Sequence, residues 1–106
     1  MSTAYAALSL PLRREILDAL RAGPATVGDL SELLGVPQAV ASKQLRILRE
    51  AGFVQVRADA QRRWYALCPA AFTEVAHWLE PYRWLWEDRL DRLGDRLDEI
   101  QEKEQS

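Results

Sequence analysis

The sequence contains very few residues of the kinds that build disulfides and metal sites. It has one cysteine, Cys68, and one histidine, His77. A single cysteine cannot form a disulfide within the chain, and one thiol with one imidazole cannot make a tetrahedral metal site in one protomer. No charged and then apolar leader precedes Ala4, and no apolar run approaches the length of a membrane span. We therefore expect a cytoplasmic protein in a reducing compartment.

The motifs that carry enzyme chemistry are also missing from the sequence. There is no nucleophile motif paired with a base, no glycine-rich phosphate loop and no pair of metal ligands. Asp88, Asp91 and Asp95 alternate with arginines, which is typical of solvated ion pairs on a helix. We expect neither an enzyme nor a bound cofactor.

A large excess of positive charge is absent as well, although DNA-binding domains usually carry basic patches. The net charge is −2, but it is unevenly distributed. Residues 1–67 hold nine Lys and Arg against six Asp and Glu, whereas residues 68–106 hold five against ten. This asymmetry is expected if only the first part meets phosphates, although ordinary solvated faces would give similar counts.

What the sequence does contain is a pair of short helical patterns between Thr26 and Gly52. Thr26 and Asp29 form a capping box at the start of the first helix, and its apolar stripe is Leu30, Leu33 and Leu34. Gly35 and the Val36–Pro37 pair end that helix, because a proline disfavours the α conformation of the residue before it. From Gln38 to Glu50 the second helix places Ala41, Leu45 and Leu48 on its inner side. The pattern predicts a helix-turn-helix whose second helix can enter a major groove.

The residue patterns on both sides of this motif predict further helices and a hairpin. Residues 4–9 predict a short helix with Tyr5 and Leu8 as its apolar contacts, and a stronger helix follows from Pro11 to Gly23. In that stronger helix we expect the side chains of Arg13 and Arg14 to be exposed to solvent. Alternating residues at 53–57 and 63–67, around the polar turn 58–62, predict a β-hairpin, which after a recognition helix is a wing.

The last third of the chain predicts helices with an unpartnered apolar seam. From Pro69 the stripe is Phe72, Val75, Ala76 and Leu79, until Pro81 either kinks one long helix or starts a second. Beyond it an apolar seam recurs at steps of three and four residues: Tyr82, Trp86, Leu90, Leu93, Leu97 and Ile100. Because so small a domain cannot cover this seam, we expect a homodimer. The fold class expected is mainly α with a β-hairpin wing, one winged helix-turn-helix domain over 1–106, ending in a dimerisation helix at about 70–102.

Several of these stretches together resemble the ArsR family of bacterial winged helix-turn-helix repressors. The resemblance spans residues 8–67 and rests on Pro11-x-Arg13-Arg14-Glu15-Ile16-Leu17, Gly35-Val36-Pro37-Gln38, Ser42-Lys43-x-Leu45, Leu48-Arg49-Glu50-Ala51-Gly52 and Arg62-Arg63-Trp64-Tyr65. It implies a homodimer built on the first and last helices, which binds an inverted repeat near its own promoter and is released by a signal.

The chain departs from the family pattern at informative positions. The family usually has a histidine where Gln44 stands and Pro-Ala-Val where Ala39-Val40-Ala41 stands, which keeps the geometry but leaves the base preference open. Thr26 and Gly28 stand where arsenic and lead sensors carry a Cys-x-Cys pair. Zinc sensors carry paired acidic and histidine ligands on the last helix, whereas this chain has only His77. We expect none of these metal sites, although two copies of Cys68 and His77 could pair across a dimer in a metal- or redox-responsive repressor.

The candidate site residues follow from these patterns. The predicted DNA contacts are Gln38, Ala39, Ser42, Lys43 and Arg46 on the second helix of the motif and Arg57, Arg62 and Arg63 on the wing. The predicted dimer contacts are Tyr5, Leu8, Leu79, Tyr82, Trp86, Leu90, Leu93 and Leu97. Trp64, Trp78, Trp84 and Trp86 suit either a dimer core or a pocket for an aromatic inducer.

Besides the metal- or redox-responsive repressor, which would differ only in its input, two functions are compatible with this sequence. The first is a sequence-specific repressor that binds double-stranded DNA as a homodimer. The alternative is a winged-helix interaction module that acts through its acidic C-terminal helix without binding DNA. Binding to random duplex DNA at low salt separates the two functions, because a basic surface gives salt-sensitive affinity.

Overall fold

The structure is a computed structural model that describes residues 3–105, with the side chains at positions 90, 98 and 102–105 outside that description. Its elements, in chain order, are α1 (Thr3–Ala7), α2 (Pro11–Leu20), α3 (Val27–Leu34), α4 (Gln38–Ala51), β1 (Val54–Asp59), β2 (Arg62–Leu67), α5 (Pro69–Leu79), a 3-10 turn (Glu80–Tyr82) and α6 (Arg83–Gln105). The prediction of a mainly helical chain with one β-hairpin wing is confirmed.

The chain divides into two compact units, Met1–Val75 and Ala76–Ser106. The first unit holds the helix-turn-helix and the hairpin, and the second holds the end of α5, the 3-10 turn and α6. Compactness does not decide whether each unit folds alone, so the single domain over 1–106 stays a prediction. Among the described residues, no helix combines the length and the apolarity that a bilayer crossing requires.

The core of the first unit is formed by α2, α3, α4 and the segment that leads into the hairpin. Its largest fully buried side chains are Phe53, Ile16, Leu30, Leu45 and Leu48. The four of these residues that lie on helices come from the apolar stripes that the helical spacing predicts, because residues three and four apart share one face. The predicted stripe of α3 was wrong at Leu33, which is 69% exposed, since α3 is only eight residues long and turns just one edge to the core.

The predicted helix-turn-helix is confirmed down to its caps. The backbone N–H of Asp29 donates to Thr26 Oγ1 at 3.1 Å, and the N–H of Thr26 donates to Asp29 Oδ2 at 3.2 Å. These two bonds satisfy donors that the first turn of a helix leaves free. Gly35 ends α3 with φ of 65°, a left-handed conformation that favours glycine.

The hairpin differs from the predicted one in its bounds. β1 begins at Val54 and pairs with β2 from Val54 opposite Leu67 to Asp59 opposite Arg62, which leaves only Ala60 and Gln61 in the turn. The assignment of Phe53 to the strand was wrong, because its N–H donates to the carbonyl of Leu48 at the end of α4, at 2.9 Å. Its ring is fully buried and packs edge-on against Phe72, with 4.9 Å between the ring centroids. A core residue that precedes a strand has the same apolar character as a strand residue.

Two other boundaries also differ from expectation. α1 covers Thr3–Ala7 rather than residues 4–9, and it ends in turns in which Leu8 N donates to Tyr5 O and Ser9 N donates to Ala6 O. At Pro81 a second helix follows rather than a kink in one long helix, and that second helix, α6, begins at Arg83 instead of at the proline. The 3-10 turn Glu80–Tyr82 separates α5 from α6, as expected where a proline removes an α-helical donor.

Candidate nucleic-acid interface

The exposed face of α4 carries most of the side chains predicted to read DNA bases. The helix buries Ala41, Gln44, Leu45 and Leu48 on one side. At about 100° per residue, the opposite side presents Ala39, Ser42, Lys43 and Arg46, and all four are exposed. These side chains place a methyl group, a hydroxyl, an ammonium and a guanidinium on one face. Such groups form apolar contacts and hydrogen bonds with base edges and phosphates.

Gln38 lies at the edge of this face rather than at its centre. Its amide nitrogen Nε2 is 3.8 Å from the place that a Cβ on Gly28 would occupy. Gln38 therefore reaches over the first turn of α3, at the junction of the two helices. Ser42, Lys43 and Arg46 form the centre of the exposed face.

The turn between α3 and α4 is held by two hydrogen bonds to one residue. The hydroxyl of Ser31 donates to the carbonyl oxygen of Val36, and the N–H of Val36 donates to the carbonyl oxygen of Ser31 at 3.1 Å. α4 then starts at once, because Val40 N and Ala41 N both donate to the carbonyl of Pro37. The turn is closed from both ends, so the start of α4 has a fixed position relative to α3.

Arg46 is not engaged by its own helix. Glu50 lies one turn further along and is the natural partner for an ion pair. Within the described residues, no ion pair or hydrogen bond joins Arg46 to Glu50. The guanidinium of Arg46 therefore keeps its donors toward solvent, where a base edge or a phosphate would meet them.

The expectation that Arg13 stays outside was wrong. Arg13 is half-buried, and its Nε donates to Oε1 of Gln44 at 2.8 Å. Its Nη1 also donates to the carbonyl oxygens of Ala6 at 3.3 Å and Ala7 at 3.4 Å. A charged residue at the start of a helix normally faces solvent. No spacing in the sequence indicates that the carboxamide of Gln44, on another helix, is the hydrogen-bond partner of Arg13.

The three arginines of the wing do not form one patch. Arg57 lies opposite Trp64 and Arg62 opposite Asp59, and these two pairs share one face of the hairpin. Arg63 lies opposite Ala58 on the other face, the one that buries Tyr65 further along the strand. All three arginines are exposed, so the structure brings Arg57 and Arg62 to one face of the wing and Arg63 to the other.

A cleft of about 400 Å³ separates the wing tip from the first turn of α3. It is lined by Thr26, Val27, Gly28, Asp29, Gln61, Arg62 and Arg63. The first turn of a helix offers free N–H groups and a positive dipole end, and two arginines add charge opposite it. The Asp29 carboxylate opposes an anion there, but it already accepts from Thr26 N. The sequence pattern did not indicate that α3 contributes to this cleft.

The residues predicted for a dimer interface differ in exposure. In the first unit Tyr5 and Leu8 are half-buried. In the second unit Leu79 is half-buried, whereas Tyr82, Trp86, Leu93 and Leu97 are exposed, and the side chain of Leu90 lies outside the described residues. On α6 the spacing of Trp86, Leu93 and Leu97 by seven and four residues places them on one stripe, with Ile100 three residues further.

Charged residues form ion pairs on the exposed surface of α6 and of the turn before it. Arg83 donates to Glu87 at 2.6 Å and to Glu80 at 3.3 Å, and Arg92 pairs with Asp88 at 3.1 Å. The hydrogen bond to Glu87, with lesser contributions from its charge and from Glu80, raises the pKa of Arg83 above its ordinary value. Arginine is protonated at neutral pH in any case, so these bonds introduce no titration there.

Metal ligands do not gather anywhere in the described part of the chain. Within it, no group of three or more His, Cys, Asp or Glu side chains is placed to hold a metal ion. Cys68 is half-buried at the end of β2, where its N–H donates to the carbonyl of Phe53 at 2.8 Å. His77 is exposed near the end of α5. Pairing of Cys68 and His77 across a dimer stays an untested alternative.

The four tryptophans do not belong to one region. Trp64 is half-buried in the wing, where it lines an open cleft with Pro24 and Arg57. The other three lie in the second unit and are exposed, and the ring of Trp78 is 5.6 Å from that of Tyr82. Trp84 lies two residues before Trp86 and therefore on another side of α6 from the apolar seam. The choice between a dimer core and an inducer pocket stays open for these residues.

Comparison with known proteins places this arrangement among bacterial regulators. The family described as "Bacterial regulatory protein, arsR family" matches residues 11–56. The transcriptional repressor SdpR of Bacillus subtilis is 30% identical over 79 residues, which are 74% of this chain and 88% of that protein. A crystal structure of an ArsR family transcriptional regulator superposes with a TM-score of 0.69 at 30% identity, covering 80% of this chain and 93% of the other.

A second solved structure bears on assembly. It is a solution structure of a homodimeric winged helix-turn-helix DNA-binding domain from Mycobacterium bovis, a possible ArsR-family transcriptional regulator. It matches with a TM-score of 0.62 at 26% identity and covers 81% of this chain and 77% of that one.

Proposed function

The chain belongs to the ArsR family of bacterial regulatory proteins, and from this premise we propose that it is a homodimeric transcriptional repressor that reads an inverted-repeat operator with α4. The observation that carries the proposal is the exposed face of α4. Ala39, Ser42, Lys43 and Arg46 share a side of the helix that contributes nothing to the core, while a closed turn fixes where that helix begins. A major groove admits one α-helix with such a face.

The wing and the start of α3 supply contacts of a different kind. Arg62 and Arg63 face the first turn of α3 across a cleft wide enough for a phosphate group. Contacts to phosphates fix the register of a protein on DNA but carry no sequence information. We assign phosphate binding to this cleft and to Arg57, and base reading to the centre of the α4 face.

The apolar seam of α6 supports the homodimer. Trp86, Leu93, Leu97 and Ile100 are between 39% and 57% exposed within one protomer. Large apolar side chains on one stripe of a helix are stabilised by a second copy of that stripe. The solved relative from Mycobacterium bovis is homodimeric, and a two-fold dimer matches an operator with two-fold symmetry.

The remaining assignments follow from the same function. A protein of this kind works without catalysis, in the compartment that holds the chromosome, and its partners are duplex DNA and a second copy of itself. Nothing in the site requires a metal or an organic cofactor for DNA binding. The inducing signal is a separate question.

Selection of binding sites from a random duplex library tests the proposal. The full-length chain should enrich an inverted repeat, and its affinity for random duplex should fall steeply between ~50 and ~200 mM salt, as expected when lysines and arginines displace counterions. Enrichment of no sequence, together with no salt-dependent binding, would instead support an interaction module that acts through the acidic α6. A footprint on the DNA upstream of its own gene would then identify the natural site.

A further inference from the structure

A polar link connects the recognition helix to the N-terminal helix through a single arginine. Arg13 lies in the first turn of α2, and its Nε donates to Oε1 of Gln44 on α4 at 2.8 Å. Its Nη1 is 3.3 Å from the carbonyl oxygen of Ala6 and 3.4 Å from that of Ala7, both on α1. One guanidinium thus contacts the helices on both sides of its own.

Gln44 lies on the inner side of α4, where a carboxamide needs a partner. It is 9% exposed and shares that side with Ala41, Leu45 and Leu48, all of which are fully buried. A buried carboxamide without a hydrogen bond is costly, and a charged donor at 2.8 Å is a strong partner. The Arg13–Gln44 bond is therefore the specific polar contact in an otherwise apolar surface, and it fixes the rotation and axial position of α4 there.

The other end of the link holds α1. This helix has five residues, too few to be stable alone, and the carbonyls of its last turn accept hydrogen bonds from residues outside it. Arg13 donates to two of those carbonyls, while Ala4 and Ala7 pack into the core with almost no exposed surface. The position of α1 and the position of α4 are thus tied to the same side chain.

We propose that Arg13 and Gln44 are positioning residues that set the orientation of α4 relative to α1, and through it the base reading of the operator. The proposal rests on the proposed function. Tyr5 on α1 and Leu8 in the turn after it are predicted to contact the second protomer, so the link sets how each recognition helix is held relative to the dimer axis. Loss of the link should reduce discrimination between operator and random DNA, because random DNA needs only phosphate contacts.

The decisive variant is Gln44→Leu, which removes the acceptor without changing charge and with little change in volume. In the full-length chain, affinity for the selected operator should fall about tenfold, the effect of roughly one buried hydrogen bond. Affinity for random duplex should stay at the wild-type value. The conservative variant Gln44→Glu keeps an acceptor for Arg13 and should restore the operator-to-random ratio.

Arg14 offers a matched control on the same helix. Its Nη1 donates to the carbonyl oxygen of Leu8 at 2.6 Å, and the hydrogen bonds of its side chain do not include α4. Arg14→Met removes the same charge as Arg13→Met, so both variants lose the same general attraction for DNA. Only Arg13→Met should lower the operator-to-random ratio, and adding Gln44→Leu to it should cause no further loss, because both remove one link.

The outcomes separate the possible roles. If the operator-to-random affinity ratio of Gln44→Leu equals that of the wild type, whether or not both affinities fall, the positioning role is overturned. The pair would then contribute to folding alone. If Gln44→Leu does not fold, the same affinity ratio is measured for Arg13→Lys, which keeps the charge but lacks the Nε–H. That ratio should then be lower than the wild-type ratio. If the wild-type chain itself does not distinguish operator from random duplex, the proposed function fails first.

Discussion

The two compact units of the chain differ in how far their apolar side chains are buried. In the first unit Ile16, Leu45, Leu48 and Phe53 are fully buried, and most of the exposed surface of α4 is polar or charged, although Leu33 on α3 is exposed. In the described part of the second unit no side chain is fully buried, and Leu93, Leu97 and Ile100 are more than half exposed. The first unit has a core of its own, whereas the seam of α6 is the surface that a second copy covers in the proposed dimer.

This contrast assigns different roles to similar residues. A leucine in α4 stabilises the fold of one protomer, whereas a leucine at the same spacing in α6 stabilises the dimer if the proposal is correct. The ion pairs Arg83–Glu87 and Arg92–Asp88 lie on an exposed helix, where such pairs contribute little to stability. We therefore expect the apolar stripe, rather than the charges, to stabilise the proposed dimer.

The strongest test of the contrast is to place charge on the seam. Replacing Leu93 and Leu97 by Asp should convert the dimer to monomers at micromolar concentration, as measured by sedimentation. Burial of each leucine in a dimer is worth ~2–5 kcal/mol, and a buried carboxylate adds a further penalty. Operator affinity should fall about 100-fold or more, because the two half-sites are then bound independently.

The control for this double variant is Asp91→Asn with Asp95→Asn, on the polar side of α6. It should sediment as the wild type does. A wild-type chain that is already monomeric at micromolar concentration would contradict this account, because the exposed seam of α6 would then not be a dimer contact.

A cavity in the first unit should affect folding rather than assembly. Leu45→Ala should lower the free energy of unfolding by ~2–5 kcal/mol in urea titrations at fixed protein concentration, because Leu45 is fully buried. Leu85→Ala is the matched variant on α6, where the side chain is 48% exposed, and it should cost less than ~1 kcal/mol. Equal costs for the two leucines would show that the units are not distinct in this way.

A smaller effect is expected at the start of the helix-turn-helix. Thr26→Ala removes the hydroxyl that accepts from Asp29 N, and it should lower the free energy of unfolding by ~1 kcal/mol. Thr73→Ala removes a hydroxyl that only donates to the carbonyl of Pro69 within α5, and it should be nearly neutral. Thermal denaturation of both variants distinguishes a cap that anchors α3 from an ordinary exposed hydroxyl.

No effect is expected from metal removal. Thr26 and Gly28 supply no thiolates, so a chelator should leave operator affinity unchanged, as measured by titration with and without EDTA. Stoichiometric, tight binding of Zn²⁺ with loss of DNA binding would contradict this. If that binding disappeared in Cys68→Ala or His77→Ala, the site would lie between protomers.

Features set by neighbours in the chain were predictable from the sequence. The capping box of Thr26 and Asp29, the left-handed Gly35 and the inner stripe of Ala41, Leu45 and Leu48 each depend on residues within one or two turns. The exposed face of α4 is the complement of that stripe, so it could be predicted too. The turn of the hairpin was predicted too long, because Ala60 adopts a positive φ of 54° that glycine or asparagine usually supplies.

Features that depend on distant residues were not predictable. Arg13 and Gln44 are 31 positions apart, and each is ordinary in its own helix. A glutamine on the inner side of α4 was a usable signal, since it must find a partner when buried. The cleft between α3 and the wing tip depends in the same way on how the hairpin folds back, and spacing within a segment carries no information about that.

The most direct test compares Arg46→Ala with Arg62→Ala on the selected operator and on random duplex at two salt concentrations. Arg46→Ala should cost ~1–3 kcal/mol on the operator and relax the preference at one position in each half-site. Arg62→Ala should weaken both DNAs alike and reduce the salt dependence. If Arg46→Ala binds both DNAs as tightly as the wild type, the exposed face of α4 does not read bases, and the central claim is wrong.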